Sequence, residues 1–436
     1  MTNKRRIIID TDPGVDDILA MLLAFSASPE ELEVLLISVT YGNVEVKNCL
    51  RNVMTLFHII ELEMQWRIRK GLDPGFQTLR RHKPIVAVGA SEPLADHQLM
   101  ADHFHGIDGL GGSHSSHPHL TPKQTWRSLF TSDVSTADPS SNAATQEIET
   151  SIPLFVPSKK PAAEEILNIL RDNEPDTITI VAIGPLTNLA IAAAQDPETF
   201  LRAKEVVVMG GAINKSGNIT PVAEFNVFAD SVAAARVFAL TCPTPTLTMP
   251  VLATKSSIGD YPARLSPALK LTLFPLDITE QHNLSRATYT SFIKPLLGKN
   301  SPLAEWTDAF LGATFKKLDT LYKQDAPLAL HDPLCIWYLL ASPAMNLAKE
   351  PLDIRIETSG QWTRGMLVTD GRPRAKPVHD DSVTSHGPRD DQNLNFDEVP
   401  GDTGHWIYAR GNAIWPCVDS PWKADFGSEL LKRIFS

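Results

Sequence analysis

Cysteine is scarce. Cys49, Cys242, Cys335 and Cys417 lie far apart in 436 residues, and no CxxC pair exists. That excludes a disulfide framework and a zinc knuckle. Long apolar runs are missing too. The longest, Ile178 to Ala194, is broken by Gly184, Pro185, Thr187 and Asn188, so it is no membrane span. Ile7-Ile8-Ile9 is too short for a signal peptide and ends at Asp10. Basic residues are in deficit: 40 Lys and Arg face 51 Asp and Glu, a net charge of −11. Such a chain repels phosphate backbones, which argues against nucleic acid as a partner. These absences predict a soluble, cytoplasmic protein of a reducing compartment, with no membrane partner.

Hydrophobic residues make up 43% of the chain, enough for a sizeable core. Ile7 to Ile9 reads as a buried strand, Ile18 to Phe25 as a largely buried helix, Leu32 to Val39 as a strand, Asn48 to Ile60 as a helix and Ile85 to Val88 as a strand. The rhythm returns with a helix over Ala162 to Leu170, its first turn taking Pro161. A strand over Thr177 to Ile183, a helix over Leu186 to Ala194, a strand over Val206 to Met209 and helix within Ala223 to Leu240 follow. Alternation of this kind predicts one α/β domain over 1–436, an open, mostly parallel, Rossmann-like sheet flanked by helices. Three segments break the pattern and read as surface insertions: 113–160, rich in Ser, Thr, Pro and His; 251–271; and 370–405, rich in Asp, Arg, Pro and Gly.

Chemistry is concentrated first in Asp10-Thr11-Asp12-Pro13-Gly14-Val15-Asp16-Asp17, four carboxylates directly after an apolar strand. Like charges this close raise one another's pKa unless something compensates. A hard divalent cation with oxygen ligands would do so. The carboxyl end of a strand is also where open α/β sheets bind ligands. A solvated acidic loop at a helix N-terminus is the plainer alternative. The strand followed by Asp-x-Asp also matches the opening of haloacid dehalogenase phosphatases. Their later Gly-Asp-x-x-x-Asp motif is absent at Gly259-Asp260, which Tyr-Pro-Ala-Arg follows.

Other polar clusters recur after apolar runs. Gly184-Pro185-Leu186-Thr187-Asn188 follows a strand, and Thr187 reads as lying at that strand's end, where its backbone carbonyl can face a metal. Asn218, Glu224 and Asn226 share one short segment and suit the orientation of hydroxyls; self-capping of a polar turn is the bland reading. His331-Asp332-Pro333 sets a proton donor beside a carboxylate, although Asp332 could simply cap a helix with Pro333 at its first position. His105 opens a Gly-rich loop, His105 to Gly111. His114, His117 and His119 have loose metal-ligand spacing but are expected to be solvated. Trp306, Phe310, Phe315 and Tyr322 fall on one expected helix, with core packing as their default role.

Taken in order, the first loop, Gly184 to Ala190, Gly217 to Asn226 and His331-Asp332-Pro333 resemble the inosine-uridine-preferring nucleoside hydrolase family, from the first strand to about Asp370. The resemblance implies hydrolysis of the N-glycosidic bond of a ribonucleoside. It further implies that Asp12, Asp17, the Thr187 carbonyl and Asp332 hold one Ca2+, whose shell is completed by ribose hydroxyls and a water of lowered pKa. Asp12 would take that water's proton. Asp16 would bind the 2′-hydroxyl, Asn226 the 3′-hydroxyl, and Asn218 with Glu224 the 5′-hydroxyl. Asn43 would join the pocket and Asp10 would brace the loop. His331 would protonate the leaving base with His105 assisting, a task that suits a His of near-neutral pKa. A homo-oligomer, dimer or tetramer, is expected as well. Departures occur at Glu280, where the family often has His, with His282 two positions on, and beyond the Thr363-Arg364-Gly365 segment. A noncatalytic nucleoside-binding homologue would have lost a metal carboxylate or the base, and all those groups are present.

Overall fold

The computed structural model describes residues 4–95, 97–130, 154–250, 258–322, 324–341, 344–372, 404, 406 and 411–435. Strands β1 (Arg5–Thr11), β2 (Leu32–Val39), β3 (Ile85–Val88), β4 (Val156–Pro157), β5 (Ile178–Ala182), β6 (Glu205–Met209) and β7 (Leu271–Phe274) join Asn346–Leu347 and Ile414–Asp419 in one nine-stranded sheet. Its order is Asn346–Leu347, Ile414–Asp419, β7, β6, β5, β1, β2, β3, β4. Only the pairing of the first two is antiparallel. The chain runs outward from β1 through β2 and β3 to β4, then returns to β5 on the other side of β1. Between β1 and β5 lies the switch point where such sheets open a crevice at their carboxyl ends.

The period of two along β1 divides the core. Ile7 and Ile9 face a layer containing helix α1 (Val15–Phe25), helix α2 (Val46–Arg69) and the helices Pro302–Leu321 and His331–Ala341. Ile8 faces the opposite layer, with Ala162–Asp172, Thr187–Gln195 and Ser231–Ala239. α1 is buried almost all round because it lies between the sheet and helix His331–Ala341.

Several boundaries differ from expectation for identifiable reasons. α2 runs on to Arg69, past the expected end at Ile60. Its polar second half conceals a buried ion pair, Arg67 Nε to Glu63 Oε1 at 2.9 Å, that the apolar pattern could not reveal. Ala223 to Leu240 is two helices, Phe225–Ala229 and Ser231–Ala239, interrupted at Asp230, whose carboxylate accepts the Ala233 N–H at 2.9 Å. Pro161 precedes its helix rather than lying in the first turn. Within 113–160, Ser113–Ser116 forms a helical turn and Val156–Pro157 extends the sheet beside β3. Residues 131–153, 251–257 and 373–403, which fall within the three expected insertions, lie outside the described residues.

Candidate active site

Asp10, the last residue but one of β1, lies opposite Ser38 and Ala182. The turn that follows lifts Asp12 to Asp17 over the sheet's carboxyl edge. Asp17 organises that turn from the first turn of α1. Its Oδ1 accepts the Thr11 hydroxyl at 2.6 Å and the Asp12 N–H at 3.2 Å; its Oδ2 accepts the Gly14 N–H at 3.0 Å and the Asn43 amide at 3.0 Å. Asp332 arrives from the first turn of helix His331–Ala341. It lies inside the helix rather than capping it. One carboxylate oxygen each from Asp16, Asp17 and Asp332 lies within 4.8 Å of the other two.

Asp12 stands beside this trio rather than within it. Its Oδ2 accepts the Asn43 N–H at 2.7 Å, while its Oδ1 is buried without a partner. Two glycines make room for it: a Cβ on Gly42 would come within 2.0 Å of Oδ2, and one on Gly184 within 2.6 Å of Oδ1. Burial, then the charge of Asp17, pushes the Asp12 carboxyl well above its ordinary range. Burial does the same to Asp332, with Asp16, Asp17 and Asp12 adding to it, and raises Asp16 to about 7. Four carboxylates in such surroundings cannot all ionise without positive charge among them. An orphaned oxygen beside three converging carboxylates fits a hard divalent cation.

Asp10 lies beneath this layer. Its Oδ1 accepts the Ser38 hydroxyl and the Asn188 amide, the latter at 2.9 Å. Burial raises its pKa to about 7. Thr187 begins helix Thr187–Gln195 rather than ending a strand, and its hydroxyl donates to Asp230 at 2.7 Å. That bond ties the turn after β5 to the helix pair after β6.

A cavity of about 830 Å³ opens above the carboxylates, and Asp16, Asn43, His105, Asn218, Glu224, Asn226, His331 and Asp332 all line it. Three of these side chains are oriented by backbone bonds. Glu224 caps helix Phe225–Ala229 by accepting the N–H groups of Asn226 at 2.9 Å and Val227 at 3.2 Å, and also that of Gly211 at 2.8 Å. Asn218 Oδ1 accepts the Phe225 N–H at 2.9 Å. The Asn226 amide donates to the Ile183 carbonyl at 3.2 Å. Self-capping and ligand binding are thus compatible in this segment.

His105, from the helical turn Asp102–His105, and His331, from helix His331–Ala341, both line the cavity. His105 Nδ1 accepts the Val15 N–H at 3.2 Å, so the neutral ring carries its proton on Nε2. His331 Nδ1 meets the Thr279 hydroxyl at 2.7 Å. Burial holds His105 at about 3 and His331 at about 4, below the near-neutral range expected of them. Each therefore presents a neutral imidazole at pH 7. Glu280 lines the cavity and pairs with Lys215. His282 instead points into the core, bonding the Ile278 carbonyl at 2.9 Å and the Ser420 hydroxyl at 2.8 Å. His114 is buried, contrary to expectation. Trp306, Phe310 and Phe315 are core residues, while exposed Tyr322 lines the cavity rim. Thr279, Asp230 and Asn52 are not singled out by the motifs, and only their contacts reveal them; Asn188 lies in a motif, but its bond to Asp10 does not show in the sequence.

Fold and site together define an α/β enzyme whose acidic floor and amide walls suit a neutral, hydroxyl-bearing small molecule. Comparison with known proteins narrows this. Residues 7–393 match the inosine-uridine preferring nucleoside hydrolase family, and the chain belongs to it. It is a hydrolase of ribonucleosides. Uridine nucleosidase 1 of Arabidopsis thaliana is 34% identical over 85% of this chain and 83% of its own length. The pyrimidine-specific ribonucleoside hydrolase RihA of Klebsiella pneumoniae (strain 342) is 30% identical over 84% and 88%. The structure of a plant nucleoside hydrolase, PpNRh1, shares the fold with a TM-score of 0.63 at 22% identity, covering 99% of both chains.

Proposed function

We propose that this enzyme cleaves uridine, inosine or related free ribonucleosides to ribose and base with the help of Ca2+. The convergence of Asp16, Asp17 and Asp332 beside the unpartnered Asp12 Oδ1 carries this reading. Asp12, Asp17, Asp332 and the Thr187 carbonyl would hold the ion, which when bound supplies a water of lowered pKa. Asp12 accepts that water's proton. Asp16 takes the 2′-hydroxyl, Asn226 the 3′-hydroxyl, and Asn218 with Glu224 the 5′-hydroxyl. Water adds to C1′, the C1′–N bond breaks, and its electron pair leaves with the base. Carboxylates around the ring favour the cationic ribosyl transition state. His331 hydrogen-bonds the departing base, with His105 assisting through Nε2–H. All four cysteines are free and buried, which supports a reducing, cytoplasmic setting. Assembly as a dimer or tetramer and a place in pyrimidine or purine salvage belong to the same reading.

A panel of free nucleosides against their 5′-phosphates tests it. Glu224 should repel a 5′-phosphate, so uridine should be cleaved faster than uridine monophosphate. The reverse order, or no ribose release from any nucleoside, would overturn the assignment; the second result would favour a noncatalytic binding protein.

A further inference from the structure

Between the acidic loop and the loop bearing His105 lies a side chain that no motif includes. Asn52, on α2, has no exposed surface. Its amide nitrogen donates both hydrogens, one to the Pro13 carbonyl at 2.8 Å and one to the Asp108 carbonyl at 2.9 Å. Pro13 is in the carboxylate turn, and Asp108 is three residues past His105. The Asn52 oxygen meets His114 Nε2 at 2.7 Å. Because that oxygen can only accept, His114 carries its proton on Nε2, and its Nδ1 accepts the Thr121 hydroxyl at 2.9 Å. The amide therefore has one orientation.

The two loops press together at this point: a Cβ on Gly109 would come within 2.7 Å of the Asn52 amide nitrogen and 3.2 Å of the Pro13 carbonyl. Asp108 shapes its own loop by accepting the N–H groups of Leu110 at 3.0 Å and Gly112 at 2.9 Å. The carboxylate turn is already held by the four bonds to Asp17. Without Asn52 the carboxylate turn keeps those four bonds, while the His105 loop keeps, among its side-chain bonds to other elements, Val15 N–H to His105 and the exposed bond from Asn48 to the Ile107 carbonyl at 3.2 Å. Loss of Asn52 would thus release the histidine loop more than the carboxylates.

We infer that Asn52, oriented by His114, is a positioning residue that fixes His105 over the leaving base by tying its loop to the carboxylate turn. The inference rests on the reading of His105 as a group that hydrogen-bonds the base. Displacing such a group by about an ångström costs on the order of 10–100-fold in turnover. The loss should be confined to leaving groups that need a hydrogen bond.

Turnover of uridine and of p-nitrophenyl riboside, whose leaving group departs unprotonated, tests this in wild type, Asn52→Ala, His105→Ala and the double variant. Asn52→Ala should lower kcat on uridine about 10–100-fold with little change in KM. It should spare the nitrophenyl riboside and add nothing in the His105→Ala background. Equal loss on both substrates, or full additivity in the double variant, overturns the inference alone. Unimpaired uridine turnover in His105→Ala removes the reading of His105 and the inference with it. Should Asn52→Ala not fold, His114→Ala carries the same comparison. His114→Gln should then restore uridine turnover, because its amide nitrogen can stand in for Nε2. A failure of Gln to rescue counts against the inference.

Discussion

The Nδ1 atom of His331 and the hydroxyl of Thr279 lie 2.7 Å apart, and Thr279 is fully buried. Thr279 comes from the helical turn after β7 and His331 from a helix 52 residues on, so the bond anchors the cavity-lining His331 to a buried turn. Removing His331 should lower kcat on uridine about 10²–10⁴-fold and spare the nitrophenyl riboside. Thr279→Val, which keeps the shape but not the hydroxyl, should show the same substrate dependence with a smaller loss of about tenfold. Steady-state kinetics on both substrates checks this. Equal damage to both in His331→Ala would make His331 a ribose-site or structural residue.

Asp12 depends on two missing side chains. Gly42→Ala would set a Cβ within 2.0 Å of Asp12 Oδ2 and should displace the carboxylate. Turnover of uridine and the nitrophenyl riboside should fall together, by about 10²-fold or more, since water must be activated for each. Gly312→Ala is the control. Gly312 lies within helix Pro302–Leu321, and a Cβ added there would meet nothing within 4 Å. The substitution should leave activity intact and stabilise the fold by up to about 1 kcal/mol. Wild-type activity in Gly42→Ala would contradict the role of Asp12.

Metal dependence has a direct test at Asp17. Asp17→Asn keeps the size of the side chain but removes its charge and one of its two accepting oxygens, so it should abolish turnover and metal binding while circular dichroism stays native. Chelation of the wild type should stop turnover, and added Ca2+ should restore it. Full activity after exhaustive chelation, with no metal found by elemental analysis, would sink the metal assignment.

A pH prediction concerns stability away from the site. Arg433 grips Glu31 through two bonds, 3.1 and 2.8 Å, joining the last helix to the start of β2. The Arg433 hydrogen bonds hold the Glu31 carboxyl at about 2, below its ordinary 4.5. A depressed folded-state pKa stabilises fully above about 4.5 and is lost as pH falls toward about 2. Both partners are about one-third exposed, so the pair is worth about 1 kcal/mol or less. Arg433→Met should therefore be less stable than wild type at neutral pH, and the gap in denaturant midpoints should close on acidification below pH 4.5. A gap unchanged down to about pH 2 would assign the effect to packing.

Sequence alone determined the features that are local. β1 is an apolar run, Ile7 to Ile9, α1 begins at Val15 after a short turn, and four carboxylates fall within eight residues, so strand, helix and acidic loop were readable from neighbouring residues. The order of strands and helices likewise implied the parallel sheet, and its carboxyl edge implied where ligands bind. Tertiary structure alone decided which distant groups complete the site. Asn52 reaches Pro13 across 39 residues, Asn188 reaches Asp10 across 178, and Asp16 rather than Asp12 converges with Asp17 and Asp332. It also decided that His114 and His282 are held in the interior while Glu280 faces the cavity. A side chain's periodicity and neighbours in sequence say which face it occupies. Which partner satisfies its buried donor or acceptor depends on chain folded back from elsewhere, and that information exists only once the layers have packed.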